Sequence, residues 1–361
     1  MIPTPVPLPH PGLRWLALTL AAALGAAGAA LAQDPVFSQY TAAAVYNNPA
    51  LAGLYDGDVR LAANYREQWS SSLGGQPLRT YAAGAELRYD LGGRDYFAAS
   101  TNLLHDSGGE AEFARTQASV ALTGQKYLAG GRGRDATYLG FGARVGYGQH
   151  RIKPTGLWFS SQYDTASASV GGEAGSFPAS FTGSTRGYLD AAVGVSLTVV
   201  KERYSVWGGV AGHHLTQPNV SFLGNAEIAL DARYTAIVGG EWLYTEELRL
   251  LPSLIAEIQG PHRRVAAGAA VYYKPENRDG GDTGFRMGVY ARTAAQSEGS
   301  DNLESVIFAA QIEFGELAIG ISYDINVDPL ALATDGRGAY ELSVGYVLDN
   351  QRRHKVVCPK I

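Results

Sequence analysis

Two adjacent histidines, His213 and His214, are the side chains best suited to hold a metal ion. Their spacing speaks against it. Neighbours on a strand point to opposite faces and do not readily share one ion, which leaves a plain pair at a loop edge. Cys358 is the chain's only cysteine, so no internal disulfide can form. A lone cysteine near a chain end gives little support for a redox or lipidation role. Nucleophile-elbow, H-E-x-x-H, P-loop and EF-hand patterns are absent. The expectation is a protein with no catalytic residues, no cofactor and no metal. A set of cations, Arg352, Arg353, His354, Lys355 and Lys360, sits in "DNQRRHKVVCPKI", at the end of a chain of net charge −5. That basic end suits a docking tail for an acidic partner, and equally a solvated end that only aids topology.

These residues need elements to carry them, and the first element is one that is removed. Residues 1–32 read as a secretory signal peptide: Arg14, an Ala/Leu-rich run from Trp15 to Leu31, and the small-x-small site Ala30-Leu31-Ala32. The competing reading is an N-terminal membrane anchor, since the run approaches spanning length. Beyond Ala32 no apolar run is long enough for a spanning helix. Charged residues make up only 17%, Gly is at 45 residues and Tyr at 21. No basic stripe with interleaved aromatics marks a nucleic-acid binder.

Periodicity decides among the exported classes. In "ELAIGISYDIN", Leu317, Ile319, Ile321, Tyr323 and Ile325 share one face, opposite Ala318, Gly320, Ser322 and Asp324. "AYELSVGYVL" and "YLGFGARVGY" alternate in the same way. Period two marks strands with one apolar face. Fourteen such segments begin near Val59, Thr80, Tyr96, Phe113, Thr137, Tyr188, Ser205, Leu230, Leu248, Arg264, Phe285, Leu303, Leu317 and Tyr340. Most run about 9–12 residues, enough for a tilted strand to cross a bilayer. The even count and the alternation of connections predict an all-β transmembrane antiparallel barrel over 58–349. Long connections (Gln68–Leu78, Lys153–Arg186, Thr216–Ala229, Asn326–Ala339) fall on one side. Short ones (Leu91–Arg94, Glu202–Tyr204, Thr245–Glu247, Gly315–Glu316) fall on the other, with Lys274–Thr283 as an exception. Tyr65, Trp69, Tyr89, Tyr147, Tyr204, Trp207, Trp242, Tyr244, Tyr272, Tyr273 and Tyr346 sit near strand ends, as interfacial girdles require. A soluble β-sandwich would instead pack such rings in its core. Glu86, Arg88, Arg144, Arg233, Glu241, Arg286 and Glu341 lie mostly on the inward phase, which predicts a lumen network of opposite charges.

Residues 33–57 fit no strand period yet carry Phe37, Tyr40, Tyr46 and Tyr55. Preceding the first strand, the stretch should begin on the periplasmic side. Folding into the lumen would bury the rings of Phe37, Tyr40 and Tyr46 and let Gln39, Asn47 and Asn48 bond to inward polar groups. The plainer alternative is a loosely ordered tail. Residues 350–361 form the basic C-terminal tail.

The motifs "QDPVFSQY", "YNNPALAG", "LAANYREQW", "NLLHDSGG", "GGVAGHHLTQPNVSF", "IGISYDIN" and "YELSVGYVL" with "VVCPKI" occur in collinear order over nearly the whole mature chain. In this the chain resembles the PorP/SprF family, outer-membrane proteins of the type IX secretion and gliding apparatus. It departs from the family's common pattern in ending on Ile361 and in its long Lys153–Arg186 loop. The resemblance implies an outer-membrane role without catalysis. The implied partners are outer-membrane lipid, a secreted adhesin-like protein held by its C-terminal sorting domain, and periplasmic or lipoprotein components of the machinery. The competing function is a diffusion channel or small-solute transporter with 33–57 as its hatch.

The topology makes a direct prediction. A tag inserted in the Lys153–Arg186 loop should be labelled on intact cells, and a tag after Ile361 should not. Surface labelling of the C-terminal tag on unbroken cells would contradict it.

Overall fold

In a computed structural model the described residues are 33–348, less 71–74, 92–93, 132–134, 154–162, 165–168, 171–180, 182, 224–227, 276–282, 297–301 and 330. The leader, Cys358 and the tail with Arg352, Arg353, Lys355 and Lys360 lie outside the described residues. The barrel strands are β1 (Val59–Gln68), β2 (Leu78–Asp90), β3 (Tyr96–Gly108), β4 (Phe113–Ala129), β5 (Ala136–Arg151), β6 (Tyr188–Val200) and β7 (Tyr204–His213). They continue with β8 (Arg233–Leu243), β9 (Leu248–Gln259), β10 (His262–Tyr273), β11 (Thr283–Gln296), β12 (Asn302–Phe314), β13 (Leu317–Asn326) and β14 (Arg337–Leu348). Each strand pairs antiparallel with its sequence neighbours, and β14 returns to β1 to close the barrel. That last ladder runs unbroken from Val59 opposite Leu348 to Gln68 opposite Ala339. A closed sheet leaves no unpaired edge, which is what backbone at membrane depth requires.

The predicted fourteen segments are the fourteen strands, each starting within three residues of the expected position. The strands run from 10 to 17 residues, longer than expected for several. The longest pair, β4 with β5, keeps its ladder from Ala114 opposite Arg151 to Ala129 opposite Thr137. Main-chain pairing there continues beyond the length a membrane needs, because hydrogen bonds between strands do not depend on lipid.

The faces separate as the alternation dictates. Leu61, Val145, Leu189 and Ile321 point outward and are exposed on the barrel's apolar band. Tyr65 lies between Tyr81 and Tyr340 near one rim, and Tyr204 stacks on Trp242 near the other, with centroids 5.9 Å apart. Trp207 and Tyr272 depart from the expected girdles. Both lie on the inward phase and are buried; Trp207 packs with Ile237 and Ile255 inside the barrel. Amphipathic aromatics belong at the interface only where their strand phase faces lipid.

We call the rim holding Val59 and Leu348 the inner rim. The connections between successive strands mostly follow the expected asymmetry, but two outer ones are tight. β3 turns into β4 through four residues, 109–112, with Gly109 at φ 76°, and β9 into β10 through 260–261, with Gly260 at φ 53°. Positive φ at glycine permits these tight reversals. The inner connection after Tyr273 is the long one, as expected. The long loop after Arg151 includes a two-residue ladder of Tyr163–Asp164 with Ser169–Val170. Among the described residues no helix is long and apolar enough to cross a membrane. Two short α-helices occur among the described residues, α1 (Ala44–Asn47) and α2 (Ala331–Thr334).

Outward and inward positions on one strand should respond differently to charge. Ile321 faces lipid near the middle of β13, whereas Ala318 faces a cavity inside the barrel. Ile321→Arg should cost about 2–4 kcal/mol of barrel stability, and Ala318→Arg much less. Heat-modifiable folded bands on gels read the difference, and equal loss in both variants would refute the assigned faces.

Candidate functional site

The inside of the barrel is occupied by the chain's own first described stretch, from Asp34 to Gly57. The sequence has the means for a short irregular path. Ala44–Asn47 make one helical turn. The Asn48 side chain then caps a 3-10 turn over Pro49–Leu51, its Oδ1 accepting from the Ala50 N–H at 2.8 Å. Pro at the first helical position suits such a start because its missing N–H would be unpaired anyway.

The direction of the path corrects one expectation. The stretch does not begin at the inner rim. Asp34 lies at the opposite end, among Arg115 at the start of β4, Arg233 at the start of β8, Gln259 at the end of β9, and His214 just after β7. The chain then descends, and Tyr55 meets Glu86 and Arg88 at the inner end of β2. The segment therefore runs the length of the lumen before β1 begins. The cause is electrostatic: the cations that match Asp34 line the outer half of the lumen.

Phe37, Gln39, Tyr40, Tyr46, Asn47 and Asn48 contact the wall strands or one another. Phe37 packs edge-on to Tyr46 at 5.5 Å and lies with Ala43 and Leu104. The Tyr40 ring meets Tyr290 edge-on, and its hydroxyl bonds Ser253 Oγ at 2.9 Å. The Tyr46 ring lies 4.7 Å from the Arg233 guanidinium, a cation–π contact. Burial pushes the Tyr46 phenol up to about 12, so it stays neutral and donates to the Pro35 carbonyl. The Asn47 carbonyl accepts from His213 Nε2 at 2.9 Å and Thr235 Oγ1 at 2.7 Å, while its amide donates to the Tyr40 carbonyl. Asn48 Nδ2 donates to the Val195 and Val210 carbonyls of β6 and β7.

Residues outside that set carry much of the binding. The Ser38 and Gln39 N–H groups donate to Glu341 at 2.7 and 3.2 Å. The Ser38 hydroxyl donates to Asp324 and accepts from Arg66 and Arg292. The Pro49 carbonyl accepts from Thr123, and the Ala50 carbonyl from Gln125 and Ser196. Arg66, Arg115 and Arg292 were readable as inward residues from strand phase alone. Their target, a single acidic residue in "QDP" or a serine in "FSQY", carries no signal in a lone sequence.

The lumen wall is notched to receive the 3-10 turn. A Cβ at Gly142 would sit 2.5 Å from the Ala50 nitrogen and the Pro49 carbonyl carbon. One at Gly194 would sit 2.0 Å from Asn48 Oδ1, and one at Gly209 would sit 2.7 Å from Asn48 Nδ2. Three adjacent strands, β5, β6 and β7, thus present glycine where the segment touches backbone, a use glycine serves because it has no side chain.

The histidine pair also differs from expectation. Both rings are buried inside the barrel. His214 leaves the strand with φ 55°, so alternation no longer applies to it. His213 Nδ1 accepts from Arg144 at 2.7 Å. His214 bridges Asp190 at 3.0 Å and Asp34 at 2.8 Å. Burial opposes the His214 imidazolium, but the Asp34 charge and the bonds to Asp190 and Asp34 raise its pKa. Burial likewise opposes the Asp34 carboxylate, yet Arg115, His214 and Arg233 hold it well below the usual carboxylate range. Among the described residues no group of three His, Cys, Asp or Glu side chains is placed to hold a metal. Glu86, Arg88, Arg144, Arg233 and Glu341 are buried inward, as the phase indicated, and pair with one another or with the segment.

Asp34 is the test residue of this network. Its folded pKa is depressed, so its stabilisation is present above the ordinary value near ~3.9 and is lost as pH falls through the folded value. Asp34→Ala strands Arg115, leaves Arg233 with Glu257 alone, and should cost about 3–5 kcal/mol less whatever lumen water restores. Heat-unfolding midpoints should therefore differ between variant and wild type at neutral pH and converge only in strong acid. Equal midpoints at neutral pH would show that the network does not hold the segment.

Solved barrels of similar architecture include TbuX, the toluene transporter of Ralstonia pickettii, at 11% identity and TM-score 0.48, covering 84% of this chain and 92% of that one. A FadL homologue of Pseudomonas aeruginosa has 12% identity and TM-score 0.46, covering 84% and 93%. A search of curated protein sequences finds no match. The family model "Type IX secretion system membrane protein PorP/SprF" matches residues 29–346. With the barrel, its lipid-facing band and this match over most of its length, the chain belongs to the PorP/SprF family of type IX secretion system membrane proteins and resides in the outer membrane.

Proposed function

We propose that this barrel is a docking scaffold: its outer loops hold a secreted, adhesin-like protein by that protein's C-terminal domain, and its inner rim contacts periplasmic or lipoprotein components of the machinery. The observation that carries the reading is the segment lodged in the lumen. A conduit needs a polar path through the barrel, and here that path is taken by a segment bonded to wall strands on every side. Buried charges held in pairs are costly to separate, so the segment resists displacement. Family membership supports the choice of partners. The proposed role is non-enzymatic.

The diffusion-channel reading requires the segment to leave or to permit passage. Two measurements separate the readings. Purified barrel in planar bilayers should show no large open conductance, and deletion of Asp34–Ala50 should yield a barrel that still inserts and conducts. Affinity purification from native outer membranes, with the tag in the Lys153–Arg186 loop, should recover a secreted protein together with periplasmic machinery. Barrel recovered alone, with a large wild-type conductance, would overturn docking in favour of transport.

A further inference from the structure

The segment does not fill the lumen evenly. Beneath the Ser38–Ala42 turn it leaves a cavity of about 270 Å³. The roof of this cavity is the turn Ser38–Ala42 with the Tyr40 ring. Its walls are the inward faces of β1 and β10 to β14. Its mouth is the inner rim, formed by Tyr55, Asp56, the Gly315–Glu316 hairpin turn and Val347. The wall strands are paired along the cavity, with register shifts only at Arg292/Thr293 and Asp324/Ile325 toward the outer rim.

The chemistry of the cavity is divided. Inside, Ala62, Ala270, Gly288, Ala309 and Ala318 make a wall of small apolar residues, interrupted by Asn64, Gln311 and Ser343. At the mouth are the carboxylates Asp56, Glu313 and Glu316, and the cations Arg60 and Arg286. Arg60 is bound to Glu86 at 2.6 Å, and Arg286 faces Glu313 at 3.8 Å. Asp56 and Glu316, both exposed, are left as the mouth's unbalanced charge among its lining residues. The occupant that fits has cations beside an apolar stretch, presented from the inner side.

We propose that this vestibule receives the chain's own C-terminal tail. Three observations select that occupant. The last described residue, Leu348, stands at the mouth, and Gly345 and Val347 of the same strand line the cavity. The sequence that follows is "DNQRRHKVVCPKI", with Arg352, Arg353 and Lys355 directly before Val356, Val357, Cys358 and Pro359, which is the order the mouth and wall require. Reach is ample: Cys358 is the tenth residue after Leu348, up to about 33 Å away when extended. Tail and inner-rim partner would then compete for one site, so that engagement of the machinery from the periplasm would begin by drawing the tail out.

The single native cysteine makes the test direct. Ala318→Cys places a second thiol on the cavity wall of the full-length protein, and Ile321→Cys places one on the lipid face of the same strand. Mild oxidation of the purified barrel should join Cys358 to the Ala318→Cys thiol. The link reads as an intramolecular, reductant-sensitive mobility shift, absent with Cys358→Ser and several-fold weaker with Ile321→Cys. Adding Asp56→Lys and Glu316→Lys should reduce it several-fold. Heat modifiability confirms that each variant is folded, and Gly345→Cys serves as a second wall position. A folded Ala318→Cys protein that forms no such link overturns the proposal. Rapid alkylation of its thiol would then show an empty cavity, and slow alkylation would show another occupant.

Discussion

The ladder between β1 and β14 is the contact on which everything else depends. In hydrocarbon every peptide group must be bonded within the protein, and only closure accomplishes that for a sheet. Closure also creates an inside. Once fourteen strands alternate, half of their side chains face a lumen from which lipid is excluded. Arg66, Arg115, Arg144, Arg233 and Arg292 all point there and are buried. Those charges need partners, and the wall supplies only some of them. The first residues of the described chain supply others: Asp34 for Arg115 and Arg233, and the Ser38 hydroxyl for Arg66 and Arg292.

Two different kinds of complementarity hold the segment. At the outer end the match is ionic and buried, centred on Asp34 and His214. Toward the middle it is steric, with Gly142, Gly194 and Gly209 making room for a 3-10 turn whose carbonyls accept from Thr123, Gln125 and Ser196. The first kind gives strength and direction; the second gives register along the lumen. A cavity remains beneath the Ser38–Ala42 turn, lined toward the inner rim by Tyr55, Asp56 and Glu316.

The barrel was legible in the sequence because period two is a local property. Leu317 to Asn326 states its own faces residue by residue, and fourteen repetitions of the pattern fix the strand count. The lumen segment was legible only in outline. Its rings announced burial, and Asn47 and Asn48 announced polar contacts, but Asp34 gave no hint of the cations it would meet some eighty to two hundred residues away. Long-range pairing of that kind has no periodic signature. The same gap explains the segment's direction, which depends on which end of the lumen holds the matching charge. His214 was misplaced for a smaller reason: one left-handed residue after a strand turned its ring inward, against the alternation rule.

The central claim is that Asp34–Gly57 is a fixed part of the barrel's interior. Hydrogen–deuterium exchange on the folded protein, followed by peptide mass analysis, tests it most directly. Amides of Ser38, Gln39, Ala50 and Gly53, each bonded to a side chain inside the barrel, should exchange as slowly as those of β5 and β6. Exchange of this stretch at the rate of an open chain, with the strands still protected, would contradict the account.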